Sequence, residues 1–278
     1  MFRRILNKIK YIKSSFNEIY YSFLAYFGNS AASLKAEQET IYANFNLDRH
    51  QGILSLNKAL TFLGLQEYNE NNGMYSEHMV LIAAISENKS LNINSILEIG
   101  TWTGEFTMIM SILFPDSKIT TIDLPQDLDD FKNFYNREND LANFIETRNN
   151  NISDKININF IELNSVFLTE SNDQAFDLIW VDGAHGYPTI TSDIINAYRL
   201  LRPEGICLID DVWTKITSSD KMYKSVGAFE TLVEMKKSKI LDDFSLFLKR
   251  LHPKKNINLN KKFVGAFQKK NKLKKEIF

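Results

Sequence analysis

Carboxylates stand in the middle of the sequence at points where short apolar runs end. Glu98 and Asp123 lie at the ends of two such runs, and Asp182, Asp210 and Asp211 follow two later ones. A carboxylate beside a tight backbone turn can accept hydrogen bonds from the hydroxyl groups of a nucleoside. Three carboxylates that meet at one edge of a sheet repel one another unless a cation or a proton intervenes. The spacing therefore predicts a nucleoside-cofactor site next to a site for a cation.

A glycine loop follows the first of these runs. It reads G-T-W-T-G over residues 100–104, and Asp123 comes 23 residues after Gly100. A dinucleotide fingerprint would read G-x-G-x-x-G, whereas here side chains fill the loop. Glu105 at the start of the next helix would repel a pyrophosphate from the positive end of the helix dipole. The loop therefore favours a cofactor without phosphates over NAD.

Short β-type runs alternate with helical stretches from residue 95 onward, which is typical of a parallel sheet covered by helices on both faces. The predicted strands are Ser95–Ile99, Lys118–Asp123, Ile156–Leu163, Phe176–Asp182 and Gly205–Asp210. The predicted helices between them are Glu105–Phe114, Leu128–Thr147 and Thr189–Leu201. Phe244–Leu251 and Lys262–Gln268 are predicted to form an antiparallel hairpin. The predicted fold class is α/β, a doubly wound, mostly parallel Rossmann-like sheet of seven strands with an antiparallel C-terminal hairpin and an N-terminal helical extension.

The segment I-L-E-I-G-T-W-T-G at residues 96–104, with Asp123 downstream, resembles the first two motifs of class I S-adenosylmethionine-dependent methyltransferases. The resemblance covers roughly residues 75–270. It implies that Glu98 positions the methionine amino group of S-adenosylmethionine and that Asp123 holds its ribose. The residues implied to bind this cofactor are Glu98, Gly100, Thr101, Trp102, Gly104, Asp123, Asn164 and Ser165, the last two at the place where the family contacts adenine.

The sequence D-G-A-H at residues 182–185 ends the fourth predicted strand, where enzymes that methylate base amino groups carry an Asn/Asp-Pro-Pro-aromatic motif. This pattern resembles the metal-dependent O-methyltransferases of the catechol type and, more closely, the sugar-modifying members that share Asp-Gly-x-His. The resemblance implies that Asp182, Asp210 and Asp211 bind a divalent metal. It also implies that His185 and Asp182 are catalytic, with His185 as the base. Oxygen-only ligation suits Mg²⁺, the expected ion, Ca²⁺ or Mn²⁺.

Charge is unevenly distributed along the 278 residues, although the formal net charge is −1. Residues 1–30 have a net charge of +4, residues 249–278 of +10, and residues 31–248 of −15. No apolar stretch approaches the roughly 18 residues of a membrane span, so we do not expect an integral membrane protein. The single cysteine, Cys207, forms no internal disulfide and excludes a Cys-rich zinc site.

Four segments are predicted along the chain. Residues 1–30 form an amphipathic basic helix, residues 31–90 a helical cap or substrate region, residues 91–270 the methyltransferase domain, and residues 271–278 a basic tail. The first helix is expected to lie on an anionic membrane surface or to pack on the body or a partner subunit. Glu77 and His78, in the helical cap, are candidates for a lid over the cofactor. The basic ends are assigned to docking rather than to chemistry.

The function expected from these features is metal-assisted O-methylation of a small polar acceptor, a sugar or a glycan precursor, by S-adenosylmethionine. One alternative keeps the cofactor and changes the acceptor to RNA or a phosphorylated metabolite. Another alternative is a non-catalytic adaptor that docks on a membrane or a partner, and a dehydrogenase ranks last. No DNA partner is expected. The expected location is the cytoplasm, peripheral to the inner membrane surface, and a homo-oligomer is expected.

Overall fold

The computed structural model describes residues 31–69, 76–133, 140–170, 175–215, 225–251 and 261–270. The predictions for the basic helix at residues 1–30 and for the tail at residues 271–278 lie outside these ranges. Within them, none of the helices has the length and apolar character needed to span a membrane.

Eight α-helices and seven β-strands make up the described ranges. The helices are α1 (Ala31–Asn44), α2 (Arg49–Phe62), α3 (Glu77–Glu87), α4 (Glu105–Leu113), α5 (Asp129–Asn133), α6 (Leu141–Ile152), α7 (Thr189–Leu200) and α8 (Gly227–Lys237). The strands are β1 (Ser95–Ile99), β2 (Lys118–Asp123), β3 (Ile158–Glu162), β4 (Phe176–Val181), β5 (Leu201–Trp213), β6 (Ser245–Leu248) and β7 (Lys262–Gln268). Two short 3₁₀ helices span Lys89–Leu91 and Ser165–Glu170.

All seven strands form one sheet in the order β3-β2-β1-β4-β5-β7-β6. Strands β1 to β5 pair in parallel, whereas β7 is antiparallel to both β5 and β6. The strand order reverses between β1 and β4, and ligands of such sheets bind outside the carboxyl ends of the strands at this point. The predicted fold class is confirmed, and the order places the ends of β1 and β4 side by side.

Strand β5 is longer than the predicted Gly205–Asp210 at both ends, because Leu201 pairs with Phe176 of β4 and Trp213 pairs with Lys262 of β7. The register between β5 and β7 shifts between Ile209 and Val212, which is a β-bulge. Asp211 lies in this bulge with a positive φ of 54°. Bulges redirect side chains beside functional sites, and this one sets the direction of a predicted site residue. The predicted helix Leu128–Thr147 is instead divided between α5 and α6, with residues 134–139 outside the described ranges.

A hydrophobic core lies on each face of the sheet. On one face, Leu56 of α2 and Ile82 of α3 are buried in one cluster with Trp180 of β4. On the other face, Ile194 of α7 and Leu232 of α8 are buried in a second cluster. Helices α2 and α3 therefore share a core with the sheet and are fixed against it.

A glycine allows α2 and α3 to approach closely. A Cβ atom on Gly52 would lie 2.7 Å from the carbonyl oxygen of Val80 and 2.9 Å from the Cβ of Ala84. Atoms at these distances overlap, so the two helices would have to separate. The absence of a side chain at residue 52 is thus a packing requirement, in spite of the low helix propensity of glycine.

We expect Gly52→Ala to lower the free energy of unfolding by about 1–3 kcal/mol, because overpacking outweighs the gain in helix propensity. Urea unfolding followed by circular dichroism measures the change. Gln51→Ala on the exposed side of the same helix is the control and should leave the unfolding free energy nearly unchanged. A Gly52→Ala protein more stable than the wild type would contradict the packing argument.

Candidate functional site

The glycine loop after β1 passes directly against the end of β4. Gly100 has a φ of +103°, and a Cβ atom there would lie 2.4 Å from the carbonyl oxygen of Asp182. At the other end of the loop, Gly104 has a φ of +73°, and a Cβ atom there would lie 2.7 Å from the side chain of Ile152 on α6. Both glycines are needed for their backbone angles and for close packing, so the loop has one well-defined path.

Asp123 at the end of β2 lies across this loop. Its carboxylate accepts hydrogen bonds from the backbone N–H groups of Trp102, at 2.9 Å, and Leu124, at 2.8 Å. The side chain is half-buried. A carboxylate has about four acceptor positions, and these two bonds orient the group across the loop. Trp102 is 40 % exposed, and its ring contacts that of Phe144 edge to face, with centroids 5.2 Å apart.

Glu98 on β1, in contrast, is 1 % exposed, and its side chain contacts residues of β2 and α4. Its Oε2 accepts hydrogen bonds from the hydroxyls of Thr107, at 2.5 Å, and Thr121, at 2.6 Å. Burial raises the pKa of Glu98 to about 7, although both threonine hydroxyls oppose the shift. A cationic ligand group beside this carboxylate would favour its charged form. The buried Thr101 hydroxyl lies 2.6 Å from that of Thr121, so Thr101 joins the loop to β2.

The predicted adenine contacts lie at the turn after β3. Asn164 is half-buried, and its Oδ1 accepts a hydrogen bond of 3.1 Å from the backbone N–H of Val166. The backbone carbonyl of Ser165 accepts a bond of 3.4 Å from the side chain of Asn196 on α7. These bonds fix the turn, while contact of either residue with adenine stays a prediction.

His185 and the three predicted metal-binding carboxylates come together at the ends of β4 and β5. The Nε2 atom of His185 lies 3.7 Å from Oδ1 of Asp182 and 3.7 Å from Oδ2 of Asp211. Asp210 and Asp211 are buried, whereas the Asp182 side chain is 32 % exposed. Partial burial and the neighbouring charge of Asp210 hold the pKa of Asp182 well above its usual range. Burial lowers the pKa of His185, which favours the neutral imidazole.

Two lysines that the motifs did not indicate contact these carboxylates. The ammonium of Lys249, directly after β6, contacts both Oδ2 of Asp210 and Oδ1 of Asp211. That of Lys262, at the start of β7, lies 2.5 Å from Oδ2 of Asp211. Burial alone would lower the pKa of Lys249, but the two aspartates outweigh it and hold that pKa above its usual value. Burial likewise opposes ionisation of Asp210, but Lys249 brings its pKa below the usual range.

These contacts bear directly on the predicted magnesium site. Among the described residues, no group of three or more His, Cys, Asp or Glu side chains has an arrangement that could hold a metal ion. Oxygens of Asp210 and Asp211 that would coordinate Mg²⁺ instead accept hydrogen bonds from lysine ammonium groups. The donor set as arranged therefore does not fit a divalent ion, and Mg²⁺ binding by Asp182, Asp210 and Asp211 stays a prediction.

The two residues predicted to form a lid have different surroundings. Glu77 is 1 % exposed, and its carboxylate accepts hydrogen bonds from Arg49, at 2.6 and 2.9 Å, and from the Tyr68 hydroxyl, at 2.6 Å. Glu77 thus joins α2 to α3 inside the helical cap. His78 stacks on the ring of Trp180 with centroids 5.3 Å apart, and burial holds its pKa well below the usual value. His78 therefore lies against the sheet as a neutral ring.

A family model described as a methyltransferase domain matches residues 97–212. The match begins in β1, ends in β5 and includes the glycine loop, Asp123, His185 and the aspartate pair. This central part of the chain is therefore similar to methyltransferase domains, in agreement with the resemblance to S-adenosylmethionine-dependent methyltransferases of class I found in the sequence. No curated protein matches the chain.

Many solved structures have a similar fold at low sequence identity. A Klebsiella pneumoniae protein assigned as an O-methyltransferase is 16% identical, with a TM-score of 0.48 over 85% of this chain and 96% of that one. The O-methyltransferase TomG from Streptomyces achromogenes, in complex with SAM, is 14% identical, with a TM-score of 0.45 over 83% and 95%. MycE from the mycinamycin biosynthetic pathway, in complex with Mg, SAH and mycinamycin VI, is 15% identical, with a TM-score of 0.49 over 78% and 55%. Likeness of this degree concerns the general fold and not the acceptor.

The raised pKa of Glu98 predicts a pH-dependent effect of Glu98→Gln on the ligand-free protein. The folded-state pKa of about 7 exceeds the ordinary value of 4.5, so this residue's contribution is fully present below about pH 4.5 and is lost as the pH rises through 7. Glutamine keeps an acceptor for both threonine hydroxyls and does not ionise. Between pH 5 and pH 8, the unfolding free energy of the variant should therefore rise by about 2–3 kcal/mol relative to the wild type.

Urea unfolding at the two pH values measures this difference. Glu87→Gln, at an exposed position on α3, is the matched control and should show no such change. The same difference between wild type and Glu98→Gln at pH 5 and at pH 8 would contradict a buried, raised-pKa carboxyl at residue 98.

Proposed function

We propose that this chain transfers the methyl group of S-adenosylmethionine to a hydroxyl group of a small polar acceptor. One observation supports this most directly: Gly100 of the cofactor loop lies against the backbone of Asp182, from which the chain continues to His185. The predicted cofactor and acceptor ends of the site are therefore adjacent. Methyl transfer requires such adjacency, because the nucleophile must approach the methyl carbon in line with the bond that breaks.

The residues around the loop suit a cofactor with a ribose and a positive charge. Asp123 is oriented by two backbone N–H groups and can accept hydrogen bonds from ribose hydroxyls. Glu98 provides a buried carboxylate on β1, the strand that leads into the loop. S-adenosylmethionine, when bound, supplies an electrophilic methyl group on a sulfonium. No step of the proposal requires a phosphate group, in line with the departure of the loop from a dinucleotide fingerprint.

His185 is the proposed base. Burial lowers its pKa and so favours the neutral imidazole, the form that accepts a proton, and Asp182 and Asp211 lie near enough to Nε2 to stabilise the imidazolium that forms. The acceptor oxygen bonds to the methyl carbon as the C–S bond breaks, with the electron pair of that bond left on sulfur. The hydroxyl proton passes to Nε2 of His185. Because an aliphatic hydroxyl is a poor nucleophile at neutral pH, this transfer supplies the reactivity that the acceptor lacks.

The proposed acceptor is a sugar or a glycan precursor, on the basis of the Asp-Gly-x-His sequence at residues 182–185. Assistance by a divalent metal, which the sequence predicts, is left out of the proposal because lysines engage the carboxylates concerned. The cytoplasmic location, the membrane contact of residues 1–30 and the homo-oligomer remain predictions.

Asp123→Asn should weaken S-adenosylmethionine binding about 10- to 100-fold, since a charge-assisted hydrogen bond contributes about 1.5–3 kcal/mol. Isothermal titration calorimetry on the full chain measures the dissociation constant. Asp129→Asn, at an exposed position on α5, is the control and should bind like the wild type. A wild-type protein that does not bind the cofactor would remove the proposed function altogether.

His185→Gln should lower turnover about 10²- to 10⁴-fold, because the proton acceptor is lost. Cofactor affinity should change little, since His185 lies on the acceptor side of the site. Turnover is followed as transfer of labelled methyl groups to a panel of free and nucleotide-linked sugars, with calorimetry on the same samples. Parallel losses of cofactor affinity and turnover would instead place His185 in the cofactor pocket.

A further inference from the structure

We propose that the ammonium groups of Lys249 and Lys262 are the built-in cation of the acidic site, in the place that the sequence motifs assign to a divalent metal. The inference deepens the proposed methyl transfer, on which its catalytic meaning rests. Whether the lysines balance the charge of the carboxylates does not depend on methyl transfer and can be tested without measuring turnover. None of the sequence motifs points to either lysine.

The first support is the number of contacts. Lys249 is 6% exposed and bridges the carboxylates of Asp210 and Asp211 with one ammonium group. Lys262 contacts the other oxygen of Asp211. Both oxygens of Asp211 and one of Asp210 are therefore engaged by positive charge. A lone buried aspartate pair would be unfavourable, and the two ammonium groups remove that repulsion.

The second support is that the backbone fixes both lysines. The N–H of Lys249 donates to the carbonyl of Lys262 at 2.9 Å, so the two residues face each other across the hairpin of β6 and β7. The carbonyl of Lys249 accepts a 3.2 Å bond from the N–H of Glu77 at the start of α3. Lys262 pairs in register with Trp213 of β5, and its ammonium lies 5.6 Å from the centroid of that residue's ring. Lys262 thus lies in β7, and Lys249, directly after β6, is held to it and to α3 by backbone hydrogen bonds.

The third support is that Mg²⁺ needs the same carboxylate oxygens that the lysines contact. Magnesium needs near-octahedral oxygen ligation at about 2.0–2.1 Å, and it would have to take the carboxylate oxygens that the lysines now contact. Displacement of Lys249 would leave a buried ammonium without its partners, next to a dication. We therefore expect the wild-type site to reject divalent ions that a carboxylate trio without lysines would accept.

The experiment titrates Mn²⁺ into the full chain and follows the free ion by electron paramagnetic resonance. The wild type should show no saturable binding at micromolar Mn²⁺. The double variant Lys249→Ala/Lys262→Ala should gain Mn²⁺ affinity by about tenfold or more, because three uncompensated carboxylates then face one another. Lys236→Ala/Lys237→Ala, which removes two ion-paired lysines from the surface of α8, is the matched control and should behave like the wild type.

The proposal would be overturned if the wild type bound Mn²⁺ at micromolar concentration and Asp210→Asn abolished that binding. It would also be overturned if the double variant folded and bound Mn²⁺ no more tightly than the wild type. If the double variant does not fold, as judged by circular dichroism, the wild-type titration decides alone. Calorimetry with S-adenosylmethionine on the same wild-type sample separates the two hypotheses. A wild type that binds neither S-adenosylmethionine nor Mn²⁺ would remove the proposed function and leave the lysine assignment intact.

Discussion

Burial of negative charge at the carboxyl edge of the sheet is the constraint on which the candidate site depends. Asp182, Asp210 and Asp211 lie where β4 and β5 end, and carboxylates so close together need compensating positive charge. The bulge in β5 turns Asp211 toward the hairpin, and the hairpin supplies Lys249 and Lys262. The antiparallel strands thus do more than extend the sheet, because they neutralise the site that the parallel strands create.

The two halves of the site are joined by the neighbouring ends of β1 and β4. The glycine loop can pass the backbone of Asp182 only because residue 100 has no side chain. On one side of this contact lie Asp123 and Glu98, the carboxylates predicted to bind the cofactor. On the other, His185 lies between two carboxylates and close to the lysines that balance them. A methyl donor and a hydroxyl acceptor bound in these halves would meet at one point.

Local pattern predicted the parallel part of the fold closely. Ser95–Ile99 and Lys118–Asp123 are strands with the predicted bounds, since their apolar, β-branched runs are buried in the sheet. The extension of β5 to Trp213 was missed because it pairs with β7, a segment about fifty residues later. The assignment of the whole basic C-terminal segment to docking was also incomplete. Lys249 and Lys262 contact buried aspartates, and Lys269 donates a 2.7 Å hydrogen bond to the carbonyl of Leu201.

The sequence by itself determined the fold class, the position of the glycine loop after β1 and the positions of the acidic residues and His185 at strand ends, because these depend on short-range spacing and on residue type. The tertiary structure alone decided how the acidic charge is balanced. Lys249 lies 39 residues from Asp210, and no periodicity relates them. The contact arises because β7 inserts between β5 and β6 and brings the far end of the chain to the edge of the sheet. Charge partners that strand pairing brings together from distant parts of the chain leave no local pattern in the sequence.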